Sequence, residues 1–342
     1  AGYRVAMQGK RHIAPLEAFP FEYLSGDYKN LNIPDLELFI ADVAVKKQAF
    51  FLYLASNDPH SPWTRGNRSL FDAEKLTLPP TLVDTKETRK NYANYLAEIN
   101  QLDTDVGKID ALIKKYNLDE NTVFIFTSEQ GHQFPFAKWT CYDAGVHSAC
   151  IVRWPGVVKP GSVSDALVEY VDIVPTFVDI IGGKPQAKVD GESFKPVLTG
   201  KKKAHKKYSF SLQTTRGINA GSPYYGIRSV YDGRYRYIVN LTPEATFQNV
   251  ETKSPLFKEW KSLAETDSHA KAMTTKYQHR PAIELYDVKN DPYCMKNLAE
   301  DAKQASTISR LDKELKRWMK DCGDEGQPTE MRAFEHMPGK RK

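Results

Sequence analysis

Thr122-Val123-Phe124-Ile125-Phe126-Thr127 runs straight into Ser128-Glu129-Gln130-Gly131-His132. Six β-branched or aromatic residues without polar alternation read as a strand buried on both faces, the pattern of a parallel sheet covered by helices. The preceding segment supplies such a cover. From Lys86 to Tyr116 the positions Tyr92, Tyr95, Leu96, Ile99, Leu102, Val106, Ile109 and Leu112 repeat at helical spacing. Val45 to Ala55 reads as another strand, ended by the turn signal Asn57-Asp58-Pro59. Ala149 to Trp154 reads as a third. Leu167 to Ile181 reads as a helix interrupted at Pro175 and stopped at Gly182-Gly183. Strand and helix alternating in this way predict an α/β fold with a mostly parallel sheet sandwiched by helices.

The pattern changes beyond Lys201. Tyr224 to Val230 and Arg234 to Leu241 flank Asp232-Gly233, a strong hairpin signal. A long polar stretch follows, then a strand over Glu284 to Val288, then a helix with Ile308, Leu311, Leu315 and Trp318 on one face. This predicts a smaller C-terminal subdomain, an antiparallel sheet with a helix packed on it. The expected domains are 1–203 and 204–342.

A chain of 342 residues, 41% hydrophobic, has enough apolar matter for this arrangement. Its longest apolar runs, Ala49 to Ala55 and Thr122 to Phe126, fall far short of the roughly 18 residues of a membrane span. The net charge of +5 draws on lysine-rich stretches at Lys201 to Lys203, Lys206 to Lys207 and Lys340 to Lys342. These read as solvated surface, compatible with attraction of a polyanion. No nucleic-acid partner is expected. Cys141, Cys150, Cys294 and Cys322 fit no CxxC or zinc spacing, so they leave the redox compartment open. The sequence opens Ala1-Gly2-Tyr3 without Met or signal peptide, and is expected to be an N-terminally truncated fragment.

Four segments place polar residues next to strand ends, where open α/β sheets build their sites. They are Gly9-Lys10-Arg11-His12, then Asn57-Asp58-Pro59-His60-Ser61-Pro62, then Ser128-Glu129-Gln130-Gly131-His132, then Lys138. Taken singly each has a plain reading: a solvated lysine, a satisfied loop histidine, a capping carboxylate. Taken together they suit an anionic tetrahedral group. Lysines neutralise its oxygens, a histidine protonates a leaving group, and hard oxygen ligands hold Ca²⁺ or Mg²⁺.

At these residues the chain resembles the sulfatase family. Ala1 to Arg4 with Gly9 to His12 is similar to the segment after that family's nucleophile motif. Phe50 to Tyr53 with Pro59 to Pro62, and Thr127 to Gly131, resemble its next signatures. So do Arg153-Trp154-Pro155-Gly156 and Val171 to Thr176. Glu284-Leu285-Tyr286-Asp287 with Asp291-Pro292 and Asn297-Leu298-Ala299 resembles the closing signature. Gly9 to Pro15 leading into Phe19-Pro20-Phe21, and Asn57 to His60, are closest to the heparan N-sulfatase (sulfamidase) branch.

The resemblance implies an alkaline phosphatase-like fold and a formylglycine nucleophile made from Cys or Ser in Cys/Ser-x-Pro-x-Arg. It implies that Lys10 and Lys138 bind sulfate oxygens. His12 serves the nucleophile, and His60 contacts the sulfate and acts as general acid. Asp58 touches substrate, with a turn-forming role beside it, and Glu129 and Gln130 ligate Ca²⁺, with Mg²⁺ second. Glu-Gln stands where the family has Asp-Asn, and His147 where many members have an arginine. No Cys/Ser-x-Pro-x-Arg and no paired aspartates of the family's first strand occur in the chain. Both are expected upstream, so the chain alone is expected to be inactive and to bind metal weakly.

The implied partner is a sulfated sugar or polysaccharide, and a homodimer is allowed. The implied location is periplasmic or extracellular in a bacterium, lysosomal in an animal. Two alternatives stand beside this reading: a phosphate or phosphonate ester hydrolase of the same superfamily, and a sulfated-polysaccharide-binding pseudoenzyme.

Overall fold

Arg4–Gly9 forms β1 and Glu22–Tyr23 forms β2 in the computed structural model, which describes residues 2–26, 29–184, 189–333 and 335. The lysine-rich end at Lys340 to Lys342 lies outside the described residues. The chain forms two compact units. The first holds residues 1–77, 88–124 and 153–156; the second holds 78–87, 125–152 and 157–342. Lys203 lies inside the second.

In the first unit, helix α1 (Ile33–Val45) and strand β3 (Phe50–Ala55) follow β2, and the 30-residue helix α2 (Lys86–Lys115, whose first two residues belong to the second unit) follows in turn. β1 is the middle strand and pairs in parallel with both neighbours, Ala6 with Glu22 and Arg4 to Gly9 with Phe50 to Ala55. α1 starts where the Asn32 side chain accepts from the Asp35 N–H at 3.3 Å, with Pro34 in the first turn where its missing donor costs nothing. Leu36, Phe39, Ile40 and Val43 then fall on one face. They pack with Ala6, Ile109, Leu112 and Ile113, each fully buried side chain stabilising by about 1.5–3 kcal/mol. The expected strand from Val45 is corrected here: Val45 closes α1, and the strand begins at Phe50, after a turn containing Lys47 at φ 50°.

In the second unit, β4 (Phe124–Thr127, whose first residue belongs to the first unit), α3 (Asp143–Val146) and β5 (Cys150–Arg153, whose last residue belongs to the first unit) precede α4 (Ile173–Ile180) and α5 (Lys195–Leu198). The expectation that Thr122 to Thr127 is buried on both faces is not met. Phe124 to Phe126 are half-buried and Thr127 is exposed, because among the described residues β4 pairs only with β5. Pro175 does not break a helix. It lies in the first turn of α4, which starts six residues later than expected and ends before Gly182 at φ 73°.

The remaining elements are β6 (Ser209–Gln213), β7 (Ile227–Tyr231), β8 (Tyr235–Asn240), α6 (Pro255–Leu263), α7 (Ser268–Gln278), β9 (Ile283–Asp287), α8 (Ala305–Asp321) and α9 (Gln327–Met331). β6-β7-β8-β9 is an antiparallel meander, and the Asp232-Gly233 hairpin joins β7 to β8 as expected. Leu311 and Leu315 of α8 are buried against Val230, Tyr237 and Leu285, with Ile308 and Trp318 at the margin. α6 and α7 occupy the stretch that read as merely polar.

Candidate functional site

Two loops in the first unit leave the same sheet edge. β1 and β3 end in register at Gly9 and Ala55, and the Lys10 N–H donates to the Ala55 carbonyl at 2.8 Å. Only glycine fits at position 9: φ is 93° and a Cβ would come within 2.2 Å of the Ala55 oxygen. Lys10 is half-buried and His12 exposed. From the neighbouring strand the chain passes to Asp58, which is 7% exposed, and His60, which is half-buried. Parallel pairing thus brings the Lys10 and His60 segments, fifty residues apart, to one edge.

The loop from Asp58 to Gly66 is fixed by α2. Glu98, 2% exposed, accepts the backbone N–H groups of His60 at 3.0 Å, Thr64 at 2.6 Å and Arg65 at 3.0 Å. Arg65 Nη1 donates to Asp58 Oδ2 at 2.5 Å, and its other terminal nitrogen lies 3.8 Å from Asp105. Burial pushes the Asp58 carboxyl up to about 6; Glu98 and Asp105 add to the rise and Arg65 opposes it. The other Asp58 oxygen is buried without a hydrogen-bond partner among the described residues. The His60 ring has Nδ1 2.7 Å from the Ser61 carbonyl. A carbonyl only accepts, so Nδ1 carries the proton in this contact.

The second unit carries the other candidates on the loop after β4. Glu129 is exposed, and Gln130 and Lys138 are half-buried. Ser128 anchors the loop through two bonds to Ala149: its N–H donates to the carbonyl at 3.2 Å, and its Oγ accepts the Ala149 N–H at 2.8 Å. Gly131 donates to Gly145 at 3.1 Å, and a Cβ on Gly131 would stand 1.8 Å from the Ala144 carbonyl oxygen. The Lys138 N–H donates to the His132 carbonyl at 2.9 Å, and its ammonium lies 5.2 Å from the Trp139 ring centroid. Burial lowers the His132 ring to about 4, so it is neutral near pH 7. His147 holds Asp143 at 3.1 Å, and Arg236 holds the same carboxylate at 2.7 Å.

Among the described residues no group of three or more His, Cys, Asp or Glu side chains is arranged to hold a metal. Glu129 and Gln130 have the oxygen chemistry of a Ca²⁺ site but offer two side chains where the ion takes 6–8 oxygens. They fit as part of a ligand set and do not form one. The four cysteines are free thiols, two buried and two exposed.

The strand-end candidates were named from the sequence; Glu98, Arg65 and Asp105, which the structure places around the His60 loop, were not. Glu98 and Asp105 sit on α2 where an apolar face was expected, while Ile99, assigned to that face, is exposed.

A parallel sheet covered by helices, with cationic and imidazole side chains at its strand ends and an antiparallel meander in a separate unit, defines an α/β protein of the alkaline phosphatase-like kind. Residues 1–183 match the sulfatase family model, and the chain belongs to that family. Residues 131–275 also match the model described as N-sulphoglucosamine sulphohydrolase, C-terminal. The chain is similar to an ulvan-active sulfatase of Formosa agariphila, 30% identical over 94% of this chain and 63% of the relative. It is also similar to human N-sulphoglucosamine sulphohydrolase, 24% identical over 95% of this chain and 72% of the relative. Its fold is shared by a protein solved in complex with its substrate D-glucosamine-2-N,6-O-disulfate (TM-score 0.66, 17% identity, 95% of this chain, 81% of that one). The chain thus spans less than two thirds of the length of the ulvan-active relative.

Proposed function

We propose that the protein hydrolyses sulfate esters, or N-sulfates, of a sulfated carbohydrate. The observation that supports this reading is the common edge of β1 and β3, from which the Lys10 and His60 segments leave adjacent parallel strands. Lys10, with Lys138 from the β4 loop, neutralises charge on the sulfuryl oxygens, and His12 serves the oxygen nucleophile. His60, protonated on Nε2, is the general acid. As the oxygen nucleophile bonds to sulfur and takes the sulfuryl group, the bond from sulfur to the bridging atom breaks and its electron pair stays on the bridging oxygen or nitrogen. That atom takes the Nε2 proton, leaving a neutral imidazole whose Nδ1–H still faces Ser61. Asp58, tied to Arg65, meets a polar group of the sugar. Glu129 and Gln130 contribute oxygens to a divalent cation, Ca²⁺ ahead of Mg²⁺, which would supply fixed positive charge.

Sulfate release measured on the product of the complete reading frame tests the proposal. Substrates are ulvan oligosaccharides, the sulfated carbohydrate named by one relative, and glucosamine carrying O- or N-sulfate, as named by others. Release is expected from at least one, with Lys10→Ala and His60→Ala each lowering kcat/KM by about 100-fold or more. Phosphate released from phosphomonoesters with no sulfate released would favour a phosphoesterase. Tight binding of sulfated sugar without turnover by any form would favour a binding protein.

A further inference from the structure

The sheet edge explains where His60 emerges but not what fixes its backbone, since the segment from Asp58 to Gly66 belongs to no strand among the described residues. We propose that Glu98 is a positioning residue for His60, an inference that rests on the sulfatase reading for its catalytic consequence. Its two carboxylate oxygens divide the work: Oε2 takes the His60 N–H, and Oε1 takes those of Thr64 and Arg65. A buried carboxylate receiving three backbone donors is strongly held, because each bond is charge-assisted in a site of low polarity. The rest of the contact is shaped to bring α2 and the loop together. Gly66, at φ 79°, has no room for a side chain, since a Cβ would lie 2.0 Å from the Ala97 carbonyl oxygen. Trp63, 7% exposed, packs edge-on against Tyr95 with centroids 5.8 Å apart. Arg65, whose N–H is held by Glu98, then reaches back to Asp58 and ties the two ends of the His60 segment to each other.

The chemistry of the amide isolates this function. In Glu98→Gln one oxygen remains an acceptor, while the NH₂ group only donates and faces a backbone N–H in either orientation. The His60 anchor is lost when the NH₂ takes the Oε2 place, and the Thr64 and Arg65 anchors are lost when it takes the Oε1 place. Displacing a general acid lowers the rate most where the leaving group needs its proton. A sugar alkoxide or amine needs it, whereas the phenolate of an activated aryl sulfate leaves without it.

The test is a pair of measurements on Glu98→Gln in the complete protein, with Glu284→Gln as a reference for loss of a buried carboxylate elsewhere. Hydrogen exchange across residues 58–66 is expected to accelerate at least about 10-fold in Glu98→Gln and to stay unchanged in Glu284→Gln. kcat on a sugar sulfate is expected to fall about 100-fold, and on 4-nitrophenyl sulfate less than about 5-fold, with KM little altered. A uniform loss on both substrates overturns the positioning role. Unchanged protection of residues 58–66 overturns the clamp even if the wild-type protein releases no sulfate, an outcome that would separately defeat the sulfatase reading. If Glu98→Gln does not fold, Glu98→Asp, which keeps the charge and shortens its reach, is put to the same two measurements and judged by the same outcomes.

Discussion

The loop bearing His60 and the loop bearing Lys138 each follow a strand, and they are held by opposite means. The first is gripped by side chains: the Glu98 carboxylate collects three backbone donors, and Arg65 bridges Asp58 and Asp105. The second is gripped by its own backbone: Gly131 lies flat against Ala144 and Gly145, and Phe136 and Trp139 turn the chain at φ 70° and 67°. A loop held by charge responds strongly to protonation, although this one also carries a close backbone approach at Gly66. A loop held by close backbone approach responds chiefly to added volume and only weakly to pH.

The largest effect that would break this contrast lies in the second loop. Gly131→Ala forces a methyl into the Ala144 carbonyl and is expected to cost about 3 kcal/mol or more, read from the urea midpoint. A loss below about 1 kcal/mol would show that the loop yields to added volume.

The first loop should respond to pH instead. Asp58 is held at about 6 in the folded protein, above its unfolded value of 3.8. The folded state therefore binds this proton more tightly, and the associated stability is present at low pH and lost as pH rises through about 6. Wild type relative to Asp58→Asn is expected to lose about 2 kcal/mol between roughly pH 4 and 7. Parallel stability curves for the two proteins would remove the charge-based account.

The smallest effect sharpens the contrast. His147 is raised by its bond to Asp143, on the helix that supports Gly131. Its contribution is present below the unfolded histidine value and lost as pH rises through the raised one. Its side chain is largely exposed, so His147→Ala should cost less than about 1 kcal/mol at pH 5 and nothing measurable at pH 9, in thermal melts at both pH values.

Each strand-end candidate was legible because local chemistry marks it: a run of apolar residues stops and a charged or imidazole side chain follows. The hairpin at Asp232-Gly233 and the apolar face of α8 were legible for the same reason, since their signals lie within a few residues. α1 was missed although Asn32, Pro34 and the spacing of Leu36, Phe39, Ile40 and Val43 spell a capped amphipathic helix. α6 was missed because Leu256, Phe257 and Trp260 are diluted by lysines and a serine on its outer face.

The sequence by itself determined the α/β class, the antiparallel meander with its helix, the family, and the side chains available for anion chemistry, because each depends on short-range pattern. Only the tertiary structure decided that β1 and β3 run parallel in register, so that Lys10 and His60 share an edge. It alone decided that α2 buries Glu98 and Asp105 where periodicity called for apolar residues. A buried carboxylate is unfavourable until its partners arrive, and those of Glu98 stand 33 to 38 positions away in the chain. No local window contains both, so the clamp on His60 exists only once the fold has formed.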